Sequence, residues 1–211
     1  MRTLCFRHAH DIKEIYLVSG AKETPVFSKT RLYTSAYSDP ITLKLTGSEL
    51  GIALPSQDTE KHPNGYRIFA RTNLPQGGRH LAIFLPTNNI EKPYRLIILD
   101  ESEKAFPMGS TLVYNLSNTD FRITLGERAE TIKPLKRTTI PLPKKTNKLR
   151  QATVRTYFKD NTKKWVVINS TVWKTSEKLR GLAIAYIHPL NNKPVVTCFQ
   201  ETPPWRLPKL E

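Results

Sequence analysis

A chain of 211 residues with 38% hydrophobic content has room for one large or two small packed domains, so a disordered chain is not the starting expectation. Its two cysteines exclude a disulfide-dense scaffold and a zinc site built mainly from thiolates. A formal charge of +15 makes anionic partners the class that composition favours.

From the start, Met-Arg-Thr-Leu-Cys-Phe-Arg-His-Ala-His lacks the apolar core of a secretory signal, so no export signal is expected. His8-Ala9-His10-Asp11 follows. Two histidines at i and i+2 on a strand share a face and suit zinc or copper. His62, His80 and His188 stand beside prolines or turns and complete no ligand set, so no metal is expected and the segment reads as a mobile tail.

Beyond the tail, short apolar or alternating runs rich in Val, Ile, Leu, Tyr and Thr recur about every dozen residues between Gly, Pro, Asn and Asp. They predict strands at 14–18, 41–45, 66–71, 81–85 and 94–99. In the second half they predict strands at 111–116, 121–125, 137–142, 152–158, 164–173, 182–187 and 195–200. With 16 prolines and no sustained 3.6-residue period, little helix is expected. The longest apolar runs, at 81–85 and 96–99, are far short of the roughly 20 residues of a transmembrane helix.

The halves resemble one another. At an offset of 101, Arg79, Leu81, Ala82 and Ile83 fall on Arg180, Leu182, Ala183 and Ile184. Lys92-Pro93 falls on Lys193-Pro194, Asp100 falls on Glu201, and an Asn-Asn pair occupies each turn between strands. A duplicated hairpin leaves such a trace, because its turn needs residues tolerant of positive φ. The expected architecture is therefore all-β: two tandem antiparallel β-sandwich domains of immunoglobulin-like type, residues 1–104 and 105–211, with duplication of one unit as their origin. Cys5 and Cys198 lie near opposite termini; burial of each thiol separately is expected over a bridge.

Charge divides unevenly between these halves. Between Thr131 and Arg180, 14 Lys and Arg stand against Asp160 and Glu177. Solvated lysines protecting strand edges account for much of this. The alternative is a polyanion surface for nucleic acid, anionic glycan or lipid headgroups, formed by Lys133, Lys136, Arg137, Lys144, Lys145, Lys148, Arg150, Lys163 and Lys164. Tyr157, Trp165 and Trp173 could stack on bases, but the two tryptophans are eight apart on one strand pattern, share a face parity and fit core packing equally well.

No chemistry emerges. Gln76-Gly77-Gly78-Arg79 reads as a turn, not a phosphate loop, and no Gly-x-Ser-x-Gly elbow occurs. A carboxylate pair for glycoside hydrolysis is not identifiable by spacing, which leaves a carbohydrate-active hydrolase only as a further alternative. Two Asn-x-Ser/Thr sequences, at Asn115 and Asn169, fall within predicted strands. No catalytic residue and no cofactor is therefore expected.

Phe106-Pro107-Met108-Gly109-Ser110, followed by Val113-Tyr114-Asn115-Leu116-Ser117 and Leu125-Gly126, resembles a group of small uncharacterised β-rich proteins of Verrucomicrobia and Planctomycetes-type bacteria. The resemblance extends over strands 15–20 and 180–187. It implies no catalytic residues; it implies a periplasmic or cell-surface location, from which this sequence departs by lacking a signal peptide. The function expected is a non-enzymatic structural or protein-interaction module of a bacterial envelope assembly, with another protein as partner.

Overall fold

A computed structural model describes residues 1–21, 23–74, 78–160, 162–188 and 191–207, so the Gln76-Gly77 part of the expected turn lies outside the described residues. The chain divides into two compact units, Met1–Ser102 and Glu103–Glu211. The first holds β1 (Arg2–Cys5), β2 (Glu14–Gly20), β3 (Pro25–Arg31), β4 (Glu49–Pro55), β5 (Tyr66–Asn73), β6 (His80–Pro86) and β7 (Tyr94–Asp100). The second holds β8 (Thr111–Asn115), β9 (Phe121–Leu125), β10 (Arg128–Ile132), β11 (Arg137–Ile140), β12 (Gln151–Lys159), β13 (Trp165–Lys174), β14 (Arg180–Ile187) and β15 (Pro194–Glu201). A 3₁₀ turn at Pro204–Arg206 is the only helical element among the described residues, and none of these is a helix long and apolar enough to cross a membrane.

Each unit is a pair of sheets. The order β3-β2-β4-β5 recurs as β10-β9-β12-β13, and β1-β6-β7 recurs within β11-β8-β14-β15. Pairing is antiparallel throughout, except that β1 joins β6 and β8 joins β14 in parallel. The bulges recur too: the β4/β5 register shifts between Ile52 and Ala53, leaving Phe69 unpaired, and the β12/β13 register shifts between Thr156 and Tyr157, leaving Ile168 unpaired. These shared features are compatible with duplication.

Alternation explains which face turns inward. In β12, Ala152, Val154, Thr156 and Phe158 are buried while Thr153 and Arg155 are exposed, the period of two that strands impose. Phe121, Ile123 and Leu125 of β9 meet Val113 of β8 and Ala183 and Ala185 of β14 in one core. Ile15, Leu17, Leu50 and Ile52 meet Cys5, Ala82 and Phe84 in the other. β6 and β14 are buried along nearly their whole length and read as unbroken apolar runs.

Several expectations need correction. The first residues are not a tail: β1 is buried at every position. The His8–Asp11 segment is a turn, with His10 and Asp11 at φ of 48° and 58°, so its histidines have no strand parity. It is pinned by Tyr94, whose hydroxyl accepts from Ala9 N at 3.0 Å and donates to Ile12 O at 2.7 Å. Residues 41–45 form no strand, although Ile41, Leu43 and Leu45 pack on the core and Ile41 N donates to Met1 O at 2.7 Å. β1, β3, β4 and β10 were not anticipated. Their sequences mix Arg, Lys, Glu, Pro or Gly into short runs, which obscures the alternation.

The offset of 101 between the two halves also changes along the chain. Leu81 pairs with Leu99, but Leu182 pairs with Phe199, because the turn before β15 is one residue shorter than the turn before β7. Glu101, not Asp100, is therefore the counterpart of Glu201. Both carboxylates receive a buried guanidinium. Arg2 donates through Nε to Glu101 at 3.2 Å and through Nη2 to its other oxygen. Arg180 donates to Glu201 through Nε at 3.0 Å and Nη2 at 2.9 Å while lying 4.4 Å from the Phe106 ring centroid and 5.1 Å from that of Trp205.

Candidate interaction face

The most open secondary structure of the second unit is the β13 side of the sheet β10-β9-β12-β13. Its outward face follows from register. Lys159 stands opposite Trp165, Tyr157 opposite Val167 and Arg122, Arg155 opposite Ser170 and Thr124, and Thr153 opposite Val172. Lys159 Nζ lies 5.3 Å from the Trp165 ring centroid and 3.0 Å from Asp120 Oδ2. Hydrogen bonds from Lys159 and Lys133 hold the Asp120 carboxyl below its ordinary range.

The unpaired Ile168 turns into the core and reverses the side-chain parity of everything beyond it. Trp165 therefore faces outward, whereas Trp173 stands opposite buried Ala152 and packs on the core. The expectation that the two share a face is overturned by this single inserted residue.

β13 ends its sheet. Asp160 N donates to Lys164 O at 2.9 Å and Thr175 N donates to Arg150 O at 2.8 Å, which fixes the hydrogen-bonding phase at both ends of the pair. By the antiparallel alternation, the N–H and C=O groups of Trp165, Val167, Ser170 and Val172 then point away from β12. Lys174 belongs to the same set, and its carbonyl accepts from Gln200 Nε2 at 2.7 Å. Val166, Val167 and Val172 are 45%, 55% and 49% exposed. A ten-residue edge strand carrying three exposed valines is the kind of edge that proteins ordinarily block.

The first unit blocks its equivalent. With Phe69 matched to Ile168, Arg67 takes the place of Val166 and Arg71 that of Ser170. Arg67 Nη1 donates to Glu91 O at 2.8 Å and Glu91 Oε2 at 2.6 Å, and Nη2 donates to Ile90 O at 3.3 Å, anchoring the β6–β7 turn to β5. Arg71 pairs with Glu49. Tyr66 lies 4.6 Å from Tyr16 and stacks at 4.2 Å on Phe27, covering the face.

The nine cations expected to form one polyanion surface are all exposed, but the fold separates them. Lys133, Lys163 and Lys164 lie at the end of the sheet where β9 begins and β12 ends, and Lys136 and Arg137 lead into β11 of the other sheet. Lys144, Lys145, Lys148 and Arg150 lie at the opposite end of β12, the length of that strand away, about 26 Å at roughly 3.3 Å per residue. Lys163 sits at φ 61° in a turn whose Asp160 Oδ1 accepts from Thr162 N and Lys164 N, each at 2.9 Å.

At the far end, the Glu127 carboxylate accepts Lys144 N at 2.8 Å and Lys145 N at 3.0 Å, bonds that bring it down to about 2. Gly126, at φ 60°, admits this loop: a Cβ there would lie 2.9 Å from Pro143 Cβ. Asn147 Oδ1 accepts Leu149 N and Gln151 N, each at 2.9 Å, and Leu149 is left 73% exposed among the cations.

Arg122, Arg155 and Lys159 were not singled out from sequence. The parity of β12 locates the last two, and nothing in the sequence marks the bulge that puts Ser170 and Val172 on the same face as Val167. The cysteines are free: Cys5 Sγ donates to Arg7 O at 3.1 Å, and burial pushes Cys5 up to about 11 and Cys198 up to about 12. Asn115 is buried and donates to Thr119 O at 2.8 Å and Ile132 O at 2.9 Å, a structural role. Among the described residues no group of three or more His, Cys, Asp and Glu could hold a metal. No protein-family model matches the chain, and no curated protein matches it in sequence.

Proposed function

We propose that this chain is a non-enzymatic protein-interaction module in which the edge and outward face of β13 make the contact. The observation that carries this reading is the difference between the two edges at equivalent positions. β5 has Arg67 and Arg71 in ion pairs, while β13 has Val166 and Ser170. An exposed apolar edge whose charges stand only at its ends is costly to keep unless the edge has an occupant, because such strands pair indiscriminately. An immunoglobulin-like ancestry, duplication of one unit and a place in a bacterial envelope assembly belong to the same reading, which the shared strand order and the resemblance at residues 106–126 support.

The test is site-specific photocrosslinking. A benzophenone side chain placed at Val167 or Val172 should give a discrete adduct with a partner, and the same group at Glu130, on the opposite edge strand β10, should not. Equal labelling at all three positions, or none at any, would overturn the reading.

A second reading has its own observation. Lys144, Lys145, Lys148 and Arg150 share one loop held by Glu127 and Asn147, a preformed cationic surface for a polyanion. Its test is the binding of an oligonucleotide and a sulfated glycan at roughly 50 and 200 mM salt, with those four residues changed to Ser. Binding that collapses with salt and with the substitutions favours it; absence of binding at low salt ends it.

A further inference from the structure

We infer that β13 accepts an extended segment of another protein as an added strand, and that this segment alternates acidic with apolar residues. The inference rests on β13 being the contact surface and names what fits it. Strand addition needs a row of N–H and C=O groups that no neighbouring strand takes, and among the described residues Trp165, Val167, Ser170 and Val172 supply one.

Side-chain chemistry then selects the sequence of the added strand, whose residues alternate between the two faces of the sheet. On the outward face its neighbours are Trp165, Val167, Ser170 and Val172. Behind Ser170, one strand further in, stands exposed Arg155. Serine is small enough to leave that guanidinium a path to a carboxylate on the added strand, and the methylenes of Glu cover Val167 and Val172. On the core side the neighbours are Val166 and Thr171, at the rim of the cluster that contains Phe158 and Ile168, where an apolar residue is favoured.

Lys163 and Lys164 before the strand and Lys174 at its end extend the same charge bias along the edge. That bias also opposes a second copy of the chain as occupant. Antiparallel pairing of β13 with itself would bring Lys163 and Lys164 of one copy toward Lys174 of the other.

The experiment uses the full chain and three labelled nine-residue peptides in fluorescence anisotropy. One alternates Val and Glu, one alternates Val and Lys, and one is the Val–Glu peptide N-methylated at alternate residues to remove the donors of one edge. The Val–Glu peptide should bind, the Val–Lys peptide should not, and N-methylation should weaken binding roughly tenfold or more. Val167→Pro removes one outward N–H and no ladder bond, so it should cost a similar factor while leaving the melting curve in place. Val172→Lys provides a second variant that keeps every backbone donor. Arg155→Ser should weaken the Val–Glu peptide several-fold and flatten its salt dependence.

Equal binding of the Val–Glu and Val–Lys peptides, or indifference to both N-methylation and Val167→Pro, would overturn the inference. So would a dimer in sedimentation equilibrium that Val167→Pro dissociates, which would make a second copy the occupant. Crosslinking at Val167 without any affinity for the Val–Glu peptide would sink the strand chemistry and leave the surface standing. Loss of both would remove the surface as well.

Discussion

Arg67 and Val166 occupy the same place in the two units, each the second residue of its sheet's edge strand and each two positions before the unpaired residue of the bulge. The arginine ties its strand to the β6–β7 turn, and the valine leaves its strand open. Restoring the guard should close the edge. Val166→Arg is expected to abolish the crosslink at Val172 and to weaken the Val–Glu peptide, while stability stays within about 0.5 kcal/mol, as for most exposed positions. Urea unfolding alongside anisotropy checks both halves. Unchanged peptide binding would mean that the edge is not where the peptide sits.

The two buried carboxylates allow a sharper statement about stability. Glu101 and its partner Arg2 are almost wholly removed from solvent, so Glu101→Ala takes the carboxylate away from a buried guanidinium charge. The expected loss is about 3–5 kcal/mol, the usual cost of breaking such a pair from one side. The pair between Glu14 and Lys29 is about half exposed on both sides, and Glu14→Ala should cost no more than about 1 kcal/mol. Denaturant titration of the two variants separates a buried from a surface ion pair.

Glu127 carries a pH dependence whose sign is set by its lowered folded-state value. Held at about 2 against an ordinary 4.5 by the Lys144 and Lys145 amides, it binds a proton more readily in the unfolded chain. Its contribution is therefore complete above about pH 4.5 and is lost as pH falls toward 2. Glu127→Gln should lower the melting temperature at pH 7, and the difference from the parent should shrink through that window and vanish at its acid end. A difference that grew on acidification would contradict the assignment.

The thiols should be inert. With Cys5 pushed up to about 11 and Cys198 up to about 12, neither holds an appreciable thiolate fraction at pH 8. A disulfide-exchange reagent is expected to titrate both only after denaturation. Rapid reaction of either in the folded chain, or failure to find two thiols on unfolding, would oppose this description.

Much of the fold could be read from alternation. The strands at β2, β6, β9 and β12 announce themselves because buried and exposed positions alternate, or because, as at 81–85 in β6, a run is wholly apolar. β10, with Arg128 and Glu130 in five residues, and β4, with Glu49 and Gly51, hide because a solvated face or a central glycine replaces the apolar signal. Residues 41–45 carry the apolar period of a strand yet pack on the core as a loop beside β1, since burial alone does not require a ladder. The cations were visible as a count, but the fold divides them between the two ends of β12 and the start of β11 in the other sheet.

The candidate face was the least legible part. It depends on a bulge at Ile168 that sends Trp165 and Trp173 to opposite sides and on the absence of an arginine where β5 has one. Neither is a motif: the bulge appears only in the register of β12 with β13, and the missing arginine only when the two units are compared.

Backbone hydrogen exchange along β13 tests the central claim most directly. In the free chain the amides of Val167, Ser170 and Val172, turned away from β12, should exchange far faster than those of Val166, Thr171 and Trp173, which are in the ladder. On adding the Val–Glu peptide, the first three should become protected and the second three should change little. Protection already present at Val167, Ser170 and Val172 in the free chain, or none gained when the peptide binds, would mean that β13 is not an open edge awaiting a strand.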